Sequence, residues 1–165
     1  MDIKIQTIVL MLGILFTGLT AGLCFTWSNA VTPGLGRLDN LTFLKSFQSI
    51  NRAIINRSFL FVFFGPVILL FLNAWFFRGA NQISFLTFLI AALVFFVGIG
   101  LITIFGNVPL NEMIDKVNLD TLSSIEISDL RRRFEKPWNR WHLKRTIASS
   151  ASFALLLIGL IYSKL

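Results

Sequence analysis

Apolar residues are gathered into four runs along the chain, at about 5–30, 59–77, 83–105 and 147–162. A helix needs roughly 20 apolar residues to cross a hydrocarbon core about 30 Å thick, and the first three runs are about that long or longer. The fourth run is shorter, and residues 138–146 extend it as one helix that begins near Pro137. The pattern predicts an all-α fold, a bundle of four transmembrane helices in a single integral membrane domain over residues 1–165.

Polar segments of unequal length separate these runs. A five-residue link containing Arg78 and Asn81 joins the second and third runs, so we expect them to be antiparallel neighbours. Pro66 lies inside the second run, where a neighbouring helix can satisfy the carbonyl that a proline frees. Ser123 and Glu126 form a capping box ahead of residues 127–134. They predict a short amphipathic surface helix in the loop between the third and fourth helices.

Composition excludes an ordinary soluble domain, because 55% of the residues are hydrophobic, 14% are charged and the mean hydropathy is +0.76. A net charge of +7 would suit nucleic acid, but 12 of the 15 lysines and arginines lie in the two long connections, 32–58 and 106–146. The positive-inside rule therefore places these long loops in the cytoplasm and both termini outside. We expect the membrane to be the plasma membrane of a bacterium. The expected partner is a lipid bilayer and not a nucleic acid.

The first run contains the only cysteine, Cys24. We expect a small core residue there, because one thiol forms neither an internal disulfide nor a cysteine-based zinc site. The large Leu23 before it argues against a lipoprotein cleavage site. The run is also longer than the core of a signal peptide, so we expect it to be kept as a span.

Small residues predict where the helices touch, since lipid tails give apolar helices no hydrophobic reason to associate. Gly18 and Gly22 form a GxxxG pattern in the first run, and residues 148–152 are five small residues in succession. We interpret both as packing surfaces within the bundle. Association into a homo-oligomer stays open.

Polar side chains gather at the ends of the runs that face the long connections. Because consecutive spans alternate in direction, these ends meet at one face of the membrane, and we expect the side chains to converge on one pocket. They are Ser28, Asn29, Gln48, Asn51, Arg52, Asn56, Asn107, Asn111, Trp138, Asn139, Trp141, His142 and Arg145.

Helical spacing orients part of this set. His142, Arg145, Ser149 and Ser152 share one helix face, and a polar stripe of this kind is expected to face the bundle because lipid offers it no partner. We expect Arg52 and Arg145 to turn inward. The alternative is that they snorkel toward headgroups.

Each of these residues also has a simpler interpretation. His142 is the only histidine, so bis-histidine haem ligation and a histidine-rich metal site are not expected, and an interfacial edge residue is the alternative to an acid-base role. Trp138 and Trp141 are also typical of an interfacial aromatic belt. Asn107 and Pro109 also fit a simple helix end.

Three segments of this polar set form recognisable motifs: Gln48-Ser-Ile-Asn51 with Asn56, Gly106-Asn-Val-Pro-Leu-Asn111, and Trp138-Asn-Arg-Trp-His-Leu-Lys-Arg-Thr146. Together they resemble the signature of the anthrone oxygenase-like family of small four-helix membrane proteins. The resemblance covers nearly the whole chain in the right order. In many members the last motif reads Trp-Asn-His-x-Arg-Thr, so His142 stands where asparagine is usual and Leu143 where histidine is usual. A shift of one residue turns a side chain by about 100° around the helix.

The resemblance implies a membrane-embedded oxygenase that acts on a planar, apolar phenolic, anthrone-like or quinone-like molecule. His142 would be the base, Arg145 and Arg52 would stabilise an oxyanion, and Asn51, Asn56, Asn107 and Asn111 would donate hydrogen bonds. Trp138 or Trp141 would pack the rings together with the phenylalanines of the second helix. Molecular oxygen would be the co-substrate, with no metal or other cofactor required, because an anthrone carbanion is electron-rich enough to react with oxygen.

A non-catalytic role is the alternative: a membrane scaffold, or a lipid- or quinone-binding subunit whose polar residues satisfy helix ends. Transport is weaker, since four spans without repeats or an intramembrane acid make a poor alternating-access machine. Whether the protein is an enzyme is therefore open at the level of sequence.

Overall fold

The computed structural model of the protein describes residues 4–79 and 81–163, and the remaining positions of the predicted domain lie outside this part of the chain. Five long helices make up the fold, with no strand among the described residues. They are α1 (Ile5–Gly36), α2 (Asn40–Ile54), α3 (Arg57–Phe77), α4 (Gln82–Asp115) and α5 (Ser124–Tyr162). The all-α prediction is confirmed.

Four of these helices, α1, α3, α4 and α5, are long and apolar enough to cross a membrane. Helix α1 contacts α3 and α5, and α4 contacts the same two helices, so the four close into a ring. Phe77 of α3 packs against Phe88 of α4 near their short link, and Phe71 packs against Phe96 farther along. The predicted bundle, with α3 and α4 as antiparallel neighbours, is confirmed.

Pro66 lies inside α3, and its missing N–H leaves the carbonyl of Val62 without the usual helical partner. The hydroxyl of Thr20 on α1 donates a hydrogen bond to that carbonyl at 3.3 Å. A neighbouring helix therefore satisfies the freed group, as the sequence predicts.

Helix α5 begins earlier than predicted. The capping box of Ser123 and Glu126 is present, but the helix that it starts continues without interruption to Tyr162, so Pro137 lies in its interior. At 1.5 Å per residue, this helix is about 60 Å long, twice the thickness of a hydrocarbon core. The separate short surface helix predicted for this loop is not confirmed: residues 127–134 form the first part of α5.

The amphipathic helix outside the spans is instead α2, between the first and second spans. Its N-terminus is capped by Asp39, and hydrogen bonds from Thr42 lower the pKa of that carboxyl. The buried face of α2 packs against the end of α4 and the start of α5. This second hydrophobic core comprises Phe43, Leu44, Phe47, Ile114, Leu119, Ile127, Leu130, Phe134 and Trp138. The start of α5 therefore buries its apolar face against α2, which explains why it does not form an independent surface helix.

Small residues allow the spans to approach closely. A Cβ atom at Gly98 of α4 would collide with Ala148 of α5, and one at Gly18 of α1 would lie 3.0 Å from the Phe153 ring. Nothing lies within 4 Å of a Cβ placed at Gly22. Of the predicted GxxxG pair, only Gly18 is therefore at a tight contact within the bundle.

Candidate functional site

A cavity of about 240 Å³ lies between the core of the four-helix bundle and the second hydrophobic core beside α2. All five helices contribute to its wall. The wall is mostly apolar and aromatic, which is typical of small-molecule sites. Its polar residues are Cys24, Asn51, Thr103, Asn111, His142 and Arg145. The ends of the four spans thus meet at one cavity, and part of the predicted polar set lines it.

His142 and Arg145 contact each other in this wall. The Nη2 atom of Arg145 lies 2.8 Å from Nδ1 of His142, and Nε2 of His142 lies 3.1 Å from the carbonyl oxygen of Cys24. Arg145 also donates from Nη1 to the Thr103 hydroxyl at 3.3 Å. The guanidinium therefore joins α5 to α4, and the imidazole joins α5 to α1.

Arg145 is buried without a carboxylate. The residue is only 8% exposed, none of the salt bridges found among the described residues includes it, and its Nε has no hydrogen-bond partner in that part of the chain. A buried cation without a counter-ion is costly, so such a residue in a membrane protein is a candidate functional residue. The positive charge of Arg145 would therefore favour binding of a ligand with a negatively charged oxygen.

The indole of Trp138 stacks against the imidazole of His142. The ring centroids lie 4.9 Å apart and the ring planes are inclined by 16°. The indole nitrogen donates to Oδ1 of Asn111 at 2.7 Å, and Phe47 and Trp27 pack against the same indole. A planar aromatic ligand would find matching ring faces here.

Two widened helical stretches shape the wall. Residues Trp27–Val31 of α1 and Thr103–Asn107 of α4 are π-helical, and each stretch ends two residues before a proline, Pro33 or Pro109. Each proline leaves the carbonyl four residues earlier without its N–H partner, and this carbonyl lies within the π-helical stretch; such stretches are frequent at functional sites. The first residue of each stretch, Trp27 or Thr103, lines the cavity.

The predicted polar stripe on α5 is confirmed, since His142, Arg145, Ser149 and Ser152 are all buried. Ser152 donates to the Ala91 carbonyl of α4 at 2.9 Å. Leu143, where the resemblance expects a histidine in many members, is exposed on the outside of the helix. The one-residue shift therefore places the histidine of this chain on the cavity side of α5.

Five of the predicted site residues line the cavity: Asn51, Asn111, Trp138, His142 and Arg145. Arg52 does not, and its expected inward orientation is wrong. Its side chain is 61% exposed and forms a salt bridge of 2.7 Å with Asp115 at the end of α4. This partner comes from a distant part of the sequence and holds the guanidinium on the outer surface.

The other three residues to which the resemblance assigns a role have structural contacts away from the cavity. Asn56 caps α3 by accepting from the Phe59 backbone N–H at 2.9 Å. Asn107 is buried and donates to the Trp138 carbonyl at 3.3 Å. Trp141 packs on Gly106 under the ammonium of Lys144, which lies 4.0 Å from its ring centre.

Several cavity residues are not among those predicted from the sequence, including Trp27, Phe47 and Thr103, and Cys24, predicted only as a core residue, also lines the cavity. For Thr103 a signal is present: Thr103, Asn107 and Asn111 are spaced four residues apart and so lie along one face of α4. Phe47 lies on the apolar face of α2, a helix that the prediction did not include.

The exposed rim of the cavity is apolar. Ile55, Leu60 and Val108 line it and are also exposed on the outside of the protein. Within residues 4–79 and 81–163, no group of three histidine, cysteine, aspartate or glutamate side chains is placed to hold a metal ion. The site is therefore an apolar, ring-lined cavity with one buried cation and one imidazole.

A family model described as anthrone oxygenase matches residues 57–155, more than half of the chain. The match covers α3, α4 and most of α5, and so includes Thr103, Asn111, Trp138, His142 and Arg145. No curated protein and no solved structure matches the chain.

Proposed function

We propose, because the chain belongs to the anthrone oxygenase family, that it is a membrane-embedded oxygenase for a planar, apolar phenolic, anthrone-like or quinone-like molecule. The observation that carries the proposal is the pairing of Arg145, a buried cation without a carboxylate, with the imidazole of His142 in an aromatic cavity. The apolar rim supports access from the bilayer. The partners proposed are thus the bilayer and an apolar aromatic small molecule, and not nucleic acid.

The chemistry begins with removal of a proton from the acidic ring carbon by His142. The electron pair of the broken C–H bond spreads onto the conjugated ring oxygen, where Arg145 stabilises the negative charge. The carbanion then reacts with molecular oxygen, and an anthrone becomes an anthraquinone with release of one water molecule. Oxygen is the co-substrate, and no further cofactor is required. Trp138 and the Phe59 and Phe63 rings hold the substrate plane.

Oxygen uptake by the purified protein with an anthrone in detergent micelles tests this function. We expect Arg145→Gln and His142→Ala to lower turnover by about 100-fold or more each, because each removes an oxyanion or base contribution. Lys144→Gln is the matched control, since Lys144 adjoins Arg145 but is exposed, and its turnover should stay within about twofold of the parent protein. Unchanged turnover in both cavity variants would exclude the mechanism.

A quinone- or lipid-binding subunit without catalysis is the second candidate. It is favoured by the backbone contacts of Asn56, Asn107 and Gln48, the last of which donates to the carbonyls of Ile114 and Val117 near the end of α4. Stoichiometric binding of an anthraquinone without any anthrone-dependent oxygen uptake would favour this candidate over the oxygenase.

The proposed location is the plasma membrane of a bacterium, with the long loops in the cytoplasm and both termini outside. In a Cys24→Ser background, a membrane-impermeant maleimide should label Gly79→Cys, between α3 and α4, in intact cells. Ser49→Cys on α2 should be labelled only after permeabilisation. The reverse pattern would invert the proposed orientation.

A further inference from the structure

Both ring nitrogens of His142 are engaged in the cavity. The carbonyl of Cys24 can only accept a hydrogen bond, so Nε2 of His142, at 3.1 Å from it, carries the hydrogen. The guanidinium of Arg145 can only donate, so Nδ1 of His142, at 2.8 Å from Nη2, is the acceptor. The imidazole is therefore neutral, and its one basic lone pair is covered by Arg145.

The hydrogen-bond partners that hold Arg145 in this position are neutral groups. Its hydrogen bonds go to a neutral imidazole and to the Thr103 hydroxyl, and its buried Nε has none in the described part of the chain. A ligand oxygen has two lone pairs and can accept from Nη2 and from this Nε together, whereas Nδ1 of His142 accepts a single hydrogen bond. A ligand oxygen in the cavity would therefore displace Nδ1 from Arg145.

We propose that the substrate itself frees the base, Nδ1 of His142, from its hydrogen bond with Arg145. This inference rests on the proposed function for the class of ligand. The ring-conjugated oxygen of a phenolic ketone takes the Nη2 hydrogen bond from His142, and only then is Nδ1 free to accept the proton of the acidic carbon.

The step balances within the cavity. The C–H bond breaks, its proton forms the N–H bond at Nδ1, and its electron pair moves onto the oxygen that Arg145 holds. Nε2 keeps its hydrogen bond to Cys24, so the product is an imidazolium beside an enolate bound to the guanidinium. Without an oxygen-bearing ligand the base stays covered, which keeps an unliganded His142 from taking up a proton.

Nitrogen-15 NMR of histidine-labelled protein in detergent micelles tests the exchange directly, because His142 is the only histidine and gives one imidazole. The probe is a dihydroxyanthraquinone, which has carbonyl and hydroxyl oxygens on its rings but no acidic carbon. The control is anthracene, which has the same three rings and no oxygen. We expect the free protein to show hydrogen on Nε2 and a hydrogen-bonded Nδ1. The anthraquinone should shift the Nδ1 signal, and anthracene should leave it in place.

Two variants separate this exchange from a structural effect. In Arg145→Gln, the Nδ1 signal of the free protein should already differ from that of the parent and should change little with the anthraquinone. His142→Asn keeps an acceptor for Arg145 but no base, so it should bind the anthraquinone within about threefold of the parent while turnover falls by about 100-fold or more.

Several results would overturn the inference: hydrogen on Nδ1 in the free protein, an unchanged Nδ1 signal when the absorbance of the anthraquinone shows saturation, an equal shift with anthracene, or no binding of either probe. The proposed function is judged separately by oxygen uptake with an anthrone. Uptake with an unchanged Nδ1 signal would reject the exchange alone, and a shifted signal without uptake would reject the oxygenase alone.

Discussion

Asn111 accepts a hydrogen bond from the indole nitrogen of Trp138 at 2.7 Å, and the same indole is stacked on His142. Asn111 lies on α4, whereas Trp138 and His142 lie on α5. A side chain of one helix therefore fixes the ring on which the proposed base of the neighbouring helix rests. Through this contact, Asn111 supports the ring face of His142, whose two nitrogens are held by Cys24 and Arg145.

We expect Asn111→Ala to lower the free energy of unfolding by about 1–3 kcal/mol, because it leaves the indole N–H of Trp138 without its acceptor. Trp138→Phe removes the donor and keeps an aromatic face. If the hydrogen bond is the link, the double variant should lose less stability than the sum of the single losses, by about 1 kcal/mol. Chemical unfolding in detergent measures all four proteins, and strictly additive losses would contradict the link.

The packing of Trp141 on α4 depends on Gly106. A Cβ atom at position 106 would lie 2.8 Å from the indole of Trp141, so we expect Gly106→Ala to lower the free energy of unfolding by about 1–3 kcal/mol. Gly22→Ala is the matched control, since its Cβ meets nothing within 4 Å, and it should leave stability unchanged or raise it slightly. Thermal unfolding compares the two, and equal losses would show that the indole is not the cause.

Arg131 joins the start of α5 to the link between α1 and α2. It donates to the carbonyls of Gly36 at 2.8 Å and Leu38 at 2.7 Å, and its side chain is only 12% exposed. Arg132 beside it is 77% exposed and forms a salt bridge with Asp129. We expect Arg131→Gln to lower the free energy of unfolding by about 2–3 kcal/mol and Arg132→Gln by less than about 0.5 kcal/mol. Similar values for the two would mean that Arg131 does not anchor α2.

The residues that the sequence identifies best are those that lipid cannot accommodate. His142 and Arg145 are ionisable, lie next to an apolar run and share a face with two serines, so an orientation toward the bundle follows from the cost of exposing them to hydrocarbon. Arg52 has no such constraint, because at a membrane boundary a guanidinium is equally stable facing outward. Its orientation was decided by Asp115, 63 positions later, which no local pattern reveals.

The helix boundaries also differ in whether a local sequence signal or a tertiary contact determines them. The capping box at Ser123 is a local signal, and it marks the true start of α5. Whether the helix stops before Pro137 depends on what its first turns contact. Phe134 packs against Phe43 and Phe47 of α2. The burial of this face stabilises the helix across the proline, and that contact is tertiary, so the sequence pattern alone predicts a break.

The hydrogen bond from Thr20 to the Val62 carbonyl has value only because Pro66 has no N–H to donate to that carbonyl. Thr20→Val keeps the shape of this buried side chain and removes the donor, so we expect it to lower the free energy of unfolding by about 1–3 kcal/mol. In a Pro66→Ala background the helical N–H returns, the carbonyl regains its own partner, and the same change should lower it by less than about 1 kcal/mol. Equal losses in the two backgrounds would show that the threonine stabilises α1 and α3 by some contact other than the freed carbonyl.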